Sequence, residues 1–329
     1  MSRLLDKLTV KDFVLRNRIV LPPMATELGS GKGEVTEGLI QHYIRRSRGP
    51  GLAIVEHSYV STGGRRSENQ LGVYDDSLIP GLSSLAEAMK KQGSVAAVQI
   101  NHAGSKSSSD VIGAQPVAPS PVPPPRGGDV PRELSVSEIE EIVEQFVAAA
   151  SRVVRAGFDA VEVHGAHGFL LNQFTSPLTN KRTDRYGGSL ENRVRFPLDI
   201  VRRVRDELGE KVLLLFRLGA DDKMEGGLTL IEGVRIAEML ESAGVDILDI
   251  SGGHCGSAPD WLKGPGFFLH LSEAVKSAVS VPVIGVGGVT TSEFADLSIR
   301  QGKADLVAVG RAFLKDPDWA LKTIKDLSS

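Results

Sequence analysis

Cysteine is nearly absent. The 329 residues hold one, Cys255, which excludes an intramolecular disulfide and any metal cluster held by several thiolates of this chain. Long apolar runs are missing too. No segment reaches the roughly 20 residues of a membrane span, and the opening Met1-Ser2-Arg3-Leu4-Leu5-Asp6-Lys7 carries charge where a signal peptide needs an apolar stretch. Nor is there a large excess of one charge. A formal charge of −3 points to neither nucleic acid nor an anionic membrane as partner. The expectation is a soluble cytoplasmic protein, with homo-oligomerisation left open. What is present is ordinary globular composition, 41% hydrophobic and 24% charged, enough for one large core.

Eight short apolar runs alternate with helical stretches, the pattern of a parallel sheet with helical crossovers. The runs are Arg18–Met24, Gly51–Val60, Val95–Asn101, Ala160–His164, Val212–Leu218, Asp246–Ser251, Pro282–Gly287 and Ala304–Gly310. Helices are expected over Glu37–Arg48, Leu78–Gln92, Val136–Ala156, Leu190–Leu208, Leu230–Ala243, Leu271–Val279, Ser292–Gln301 and Asp316–Leu327. Ser135-Val136-Ser137-Glu138 reads as a capping box, and Ile139, Ile142, Val143 and Phe146 follow at helical spacing. Gly157, Gly244 and Gly302 each stand where a helix should stop in a left-handed residue. No Gly-x-Gly-x-x-Gly follows the first run, which argues against an open dinucleotide-binding sheet. Eight strand–helix units instead predict an α/β chain folded as a single (β/α)8 TIM barrel, one domain over residues 1–329. Leu8–Leu15 reads as a short hairpin closing the bottom. The long Pro-, Ser- and Gly-rich segment Gly104–Glu133 follows the third strand, and a loop of that length is either functional or mobile.

In such a barrel the strand C-termini and the loops after them carry the site. Read in order, they offer Pro23-Met24-Ala25, then Glu56-His57, Gln99, His164-Gly165-Ala166-His167, Arg217, Ser251-Gly252-Gly253-His254, Gly287-Gly288 and Gly310-Arg311. The loops after the last two strands are the usual phosphate site, so Gly287, Gly288 and Gly310 leave N–H groups open to an anion beside the charge of Arg311. The plainer alternative is that these glycines only make tight turns. Arg217 stands inside an apolar strand, where an unpaired charge would cost several kcal/mol. It requires either an internal carboxylate or an electron-rich ligand. His164 and His167 suit metal ligation or paired donation to one oxygen. No third ligand stands near them, so paired donors fit better and no metal is expected.

These residues resemble a known family. His164-Gly165-Ala166-His167-Gly168-Phe169-Leu170-Leu171-Asn172-Gln173-Phe174 is similar to the histidine-pair segment of Old Yellow Enzymes. It runs on through Ser176–Arg193, close to a family signature. Leu15–Val20, Pro23-Met24, Gln99 and Gly310-Arg311 match as well, and the likeness is to the compact thermophilic-like branch of ene reductases. The resemblance implies non-covalent FMN, with NAD(P)H as reductant and an activated alkene as the small-molecule partner. It places Pro23, Met24 and Ala25 along the flavin edge and Gln99 on the pyrimidine ring. Arg217 would face the side of the flavin that turns negative on reduction, and Gly287, Gly288, Gly310 and Arg311 the phosphate. His57, Ser251, Gly252 and Gly253 complete the cofactor set. His164 and His167 would polarise a substrate carbonyl for hydride transfer from flavin N5.

Four departures stand out. Ala25 replaces a cysteine that tunes the flavin, Glu27 a substrate-contacting tyrosine, and Phe169 the proton-donating tyrosine. The chain also reaches Ser329 without an arginine-bearing tail, and its single cysteine and length lead to the expectation of no iron–sulfur segment or second flavin domain. With Phe169 in that place, His254 is the candidate proton donor and Cys255 a weaker one. Alternative activities are an FMN-dependent oxidase or diaphorase and a desaturating dehydrogenase. A tRNA-modifying FMN barrel would need a catalytic cysteine and a basic extension. A flavin-binding module without catalysis would have no need of the histidine pair.

Overall fold

The computed structural model describes residues 3–125 and 127–328 and turns the eight apolar runs into eight parallel strands. Met1 and Ser2 of the charged opening, Arg126 in the long segment and Ser329 lie outside the described residues. The strands are β1 (Ile19–Leu21), β2 (Leu52–Tyr59), β3 (Val95–Asn101), β4 (Ala160–Gly165), β5 (Leu213–Gly219), β6 (Ile247–Ser251), β7 (Val283–Gly285) and β8 (Leu306–Ala308). Each pairs with its sequence neighbours, and Val307 opposite Ile19 joins β8 to β1 to close the barrel. β1 is shorter than expected because Pro22 and Pro23 have no N–H for the ladder. β7 stops at Gly285, before Gly287 and Gly288 turn to positive φ.

Side chains alternate in and out along each strand, so the interior can be read in layers. Leu52, Ala160, Leu213, Ile247 and Leu306 belong to an apolar cluster in the lower barrel. Val10 and Leu15 of the antiparallel hairpin Leu8–Val10/Phe13–Leu15 join that cluster, so the hairpin closes the bottom as the sequence suggested. Further along four adjacent strands, β3 to β6, the interior turns polar, with Gln99, Glu162, Arg217 and Asp249. That polar layer is the floor of the site.

Outside, the expected helices form with shifts of a few residues. Ser135 and Glu138 make the capping box on Val136–Arg155, whose Ile139, Ile142, Val143 and Phe146 are all buried. Thr229 and Glu232 make a second box on Leu230–Ser242 that the pattern reading did not single out. The helix expected from Leu271 begins at Leu269, and the last begins at Trp319 rather than Asp316. Pro317 falls in the joint after a short unforeseen helix, Arg311–Lys315. A second unforeseen helix, Leu170–Thr175, follows the histidine pair.

The segment Gly104–Glu133 is partly ordered by its own pairing, with Val117–Ala118 beside Arg132–Glu133. Its base is clamped by the Ser176–Arg193 stretch. Arg182 donates to the carbonyls of Pro119 (3.1 Å) and Leu134 (2.6 Å), and the Ser120 hydroxyl accepts from Lys181 N (2.9 Å). Asn180 Nδ2 donates to Phe174 O and Tyr186 O, both at 2.7 Å. The most recognisable part of the sequence is thus mainly scaffold. It fixes the loop that walls the site.

Candidate active site

The loops at the C-terminal ends of the strands enclose a cavity of about 870 Å³. Pro23, Met24, Ala25, His57, Gln99, His164, His167, Phe169, Arg217, His254, Gly287, Gly288, Gly310 and Arg311 line it, so most of the expected site residues converge on one place.

Four do not. Glu27, expected in the substrate pocket, turns outward: it is exposed, with φ 56°, and its carboxylate accepts from Ser67 Oγ at 2.6 Å. Ser251, Gly252 and Gly253 stand behind the cavity wall and make no part of it. Ser251 Oγ bonds His167 Nε2 at 2.8 Å, and Gly252 O accepts from His167 N at 3.2 Å. A Cβ on Gly253 would run into Asp222 Oδ1, so that glycine serves close packing. Ser251 and Gly252 thus hold His167 from behind, and Gly253 packs against Asp222.

His164 and His167 are nearly perpendicular, with ring centres 5.2 Å apart. His167 sits at φ 58°, a left-handed conformation that costs a non-glycine residue energy and brings both rings to the same pocket. Burial holds both imidazoles well below their usual pKa. The partner ring and then Arg217 add to this for His164, and Arg217 and then Lys106 for His167. Both are therefore neutral, each with one N–H to give. His164 Nδ1 is buried without a hydrogen-bond partner. Phe169 packs 4.9 Å from the His164 ring and 5.2 Å from His57, whose pKa is lowered to about 4, first by burial and then by Lys106, Arg66 and Arg217.

Under this pocket Arg217 Nε lies 3.1 Å from Asp249 Oδ2, with both side chains buried. The internal partner its burial demanded is present, and the guanidinium still faces the cavity. Gln99 Nε2 donates to Glu162 Oε1 at 2.8 Å. Burial, and then the charge of Asp249, push Glu162 well above the usual carboxylate range, and burial also raises Asp249. One cation and two carboxylates in a dry layer balance when Glu162 keeps its proton. Neither acid was picked out from sequence, although each interrupts an apolar strand as Arg217 does.

On the opposite rim, Gly287 (φ 124°) and Gly288 (φ 67°) hold a conformation that side chains disfavour, and Phe267 and Gly264 press against them. Arg311 has no hydrogen bond or ion pair among the described residues, and its guanidinium is 6.0 Å from the Phe267 ring centre. A flavin mononucleotide fits this distribution. It would meet an uncommitted arginine beside open backbone at one end, and the Arg217 guanidinium with the unpartnered His164 Nδ1 at the other.

Barrel, neutral histidine pair and anion-ready rim together fit the class of flavin-binding barrels. The model of the NADH:flavin oxidoreductase / NADH oxidase family matches residues 3–329, and the chain belongs to that family, the Old Yellow Enzymes. The cofactor of the family is non-covalent FMN. The chain is 47% identical to an NADH oxidase of Thermoanaerobacter brockii over 95% of its own length and 49% of the relative's. It is 39% identical to an NADPH dehydrogenase of Clostridium acetobutylicum, over 98% of this chain and 95% of that one. A solved 2-naphthoyl-CoA reductase in complex with 2-naphthoyl-CoA superposes with a TM-score of 0.94 at 29% identity, over 98% of this chain and 52% of that one. The chain thus spans about half the length of the first relative and of that structure. No helix among the described residues is long and apolar enough to cross a membrane.

Proposed function

We propose that this chain reduces the alkene of an α,β-unsaturated carbonyl compound. The observation that carries the reading is the pair of neutral, buried imidazoles, one of them fixed by Ser251, aimed at a cavity that also contains Arg217 and Gln99. FMN, when bound, supplies the hydride carrier between NAD(P)H and substrate. The protein does the rest. His164 and His167 donate to the carbonyl oxygen, where negative charge grows as hydride reaches the β-carbon, and a preorganised donor of this kind is worth about 3–4 kcal/mol. Arg217 would offer positive charge to the flavin, Gln99 would orient it, and Gly287, Gly288, Gly310 and Arg311 would take its phosphate. Pro23, Met24 and Ala25 would hold its edge, and Met24 Sδ lies 3.2 Å from where a Cβ on Gly310 would stand. Phe169 presses on His164 and keeps water from the reacting face.

The test is anaerobic stopped flow of the reduced enzyme against enones, enoates and enoyl thioesters. Fast reoxidation by at least one class is expected. Reoxidation by oxygen alone would favour a second reading, an NADH oxidase or diaphorase. That reading is supported by Phe169 in the proton donor's place and by the name of the Thermoanaerobacter relative. Among the alkenes, the likeness to a 2-naphthoyl-CoA reductase makes thioesters the first class to try.

A further inference from the structure

Charge around the cavity is one-sided. Every residue lining it that carries a permanent charge is a cation: Arg66, Lys106, Arg217 and Arg311, with no aspartate or glutamate among the described lining residues. The chain as a whole has more acids than bases, 41 against 38, so this is not the local sample of a basic protein. Two of the four have evident tasks. Arg217 is answered by Asp249, and Arg311 stands at the phosphate rim.

Arg66 and Lys106 remain, and they come from the other side, on the loops after β2 and β3. The Arg66 guanidinium has no hydrogen bond or ion pair among the described residues, while its backbone N–H is pinned to Gln70 Oε1 at 2.7 Å. Lys106 is fixed in place. Its Nζ donates to His167 O at 2.6 Å and lies 4.8 Å from the Phe169 ring centre, at the edge of the histidine pocket. The two loops are tied together, because Ser107 Oγ donates to Arg65 O at 2.5 Å. Both cations depress the pKa of His57, so their fields meet inside the cavity. A cavity with low-dielectric walls and charge of one sign concentrates ligands of the other.

We propose that Arg66 and Lys106 form a second anion subsite, which takes a carboxylate or phosphate carried by the alkene substrate or by the nicotinamide nucleotide. The proposal rests on the ene-reductase reading above and gives the Gly104–Glu133 segment a task, since Lys106 stands at its start. The subsite lies on the β2/β3 side of the histidine pair, away from the phosphate rim on β7 and β8.

Matched probes separate the two sources. N-ethylmaleimide and N-(carboxymethyl)maleimide share one alkene and differ by one negative charge, and NADPH and NADH differ by one phosphate. In Arg66→Gln and Lys106→Met, the ratio of kcat/KM for the charged over the neutral member is expected to fall about tenfold for one of the two pairs. In the wild type that same ratio should shrink as salt rises. A shift in the maleimide ratio assigns the subsite to substrate, and a shift in the NADPH:NADH ratio of flavin reduction assigns it to the nucleotide. Unchanged ratios for both pairs in both variants overturn the proposal. If the wild type reduces neither maleimide, the ene-reductase reading falls, yet the nucleotide arm still decides the subsite.

Discussion

Asp249 lies opposite Arg217 in the β5–β6 register, with Oδ2 3.1 Å from Arg217 Nε and the acid fully buried. The pair is the floor of the site, and it makes the cation's burial tolerable before any ligand arrives. Removing one partner of a buried pair typically costs about 3–5 kcal/mol. Asp249→Asn should therefore destabilise the flavin-free protein by an amount of that order. FMN should restore part of the loss, because the cation regains a negative partner. The flavin potential should rise in the same variant, since the full charge of Arg217 then faces the ring. Thermal unfolding with and without FMN and a potentiometric titration check this. Equal losses in both forms with an unmoved potential would show that Arg217 does not face the flavin.

Ser251 gives a second expectation. Its hydroxyl holds His167 at 2.8 Å while standing outside the cavity. Ser251→Ala removes one hydrogen bond, worth about 1 kcal/mol, and frees the ring. Reoxidation of reduced enzyme by an enone should slow about five- to tenfold, while flavin reduction by NAD(P)H changes less. His164→Ala, which removes a donor outright, should slow it by roughly 100- to 1,000-fold. Equal losses in both half-reactions would point to a folding or flavin defect instead.

Stability should depend on pH through Glu56, at the cavity end of β2. This carboxylate is buried, with Thr26 N donating to Oε2 at 2.9 Å, and burial raises its pKa to about 7. The folded state then holds a proton that the unfolded chain releases near its ordinary value, roughly 4.3. Stability from this group is present below that value and is lost as pH rises toward 7. The loss is of the order of 3 kcal/mol. Glu56→Gln keeps an acceptor for Thr26 and should remove this fall, leaving the variant the more stable protein at pH 8. Urea unfolding at saturating FMN from pH 4.5 to 8 measures it. The buried histidines add a rise of their own, so the Glu56 contribution is read in the difference, and a wild-type-minus-variant difference that stays level from pH 4.5 to 8 would contradict the assignment.

Much of this was legible in the chain and some was not, for physical reasons. The barrel followed from apolar runs at regular intervals, and the helix stops from Gly157, Gly244 and Gly302, which all adopt positive φ. Arg217 announced itself because a charge within an apolar strand demands an explanation. The same logic applied to Glu162 in Ala160-Val161-Glu162-Val163 and Asp249 in Ile247-Leu248-Asp249-Ile250 would have found the acids beside it. The side on which a loop residue ends is a different matter. Glu27 follows the Pro23–Ala25 edge directly yet turns out to Ser67, because its φ of 56° reverses the chain there. Lys106, two residues past Gly104 in an irregular loop, reaches the histidine pocket only through tertiary folding.

The last expectation concerns the proton. Hydride delivered to the β-carbon leaves an α-carbon that must be protonated, and Phe169 carries no acid. A positioned general acid is worth roughly 100- to 10,000-fold. The structure brings His254 to the cavity wall beside this residue, since a Cβ on Gly168 would stand 3.2 Å from His254 Nδ1. Its Nε2 meets Thr179 Oγ1 at 3.2 Å, and its backbone N–H is held by Asp222 Oδ1 at 2.8 Å. Burial lowers its pKa against the pull of Asp222, so the acid form would be an imidazolium that takes its proton from solvent and, held below its usual pKa, gives it up readily. Cys255 falls away as an alternative, because burial and the nearby Asp222 push its thiol up to about 12. His254→Ala should therefore slow alkene reduction at least about 100-fold and alter its solvent isotope effect, without a matching loss in flavin reduction. Phe169→Tyr in that background should restore a large part of the rate, because it supplies a phenol next to the histidine pair. Two results together would assign the proton to water: wild-type rates in His254→Ala, and acceleration by Phe169→Tyr in the wild-type background. Loop residue 254 would then be a wall of the pocket and nothing more.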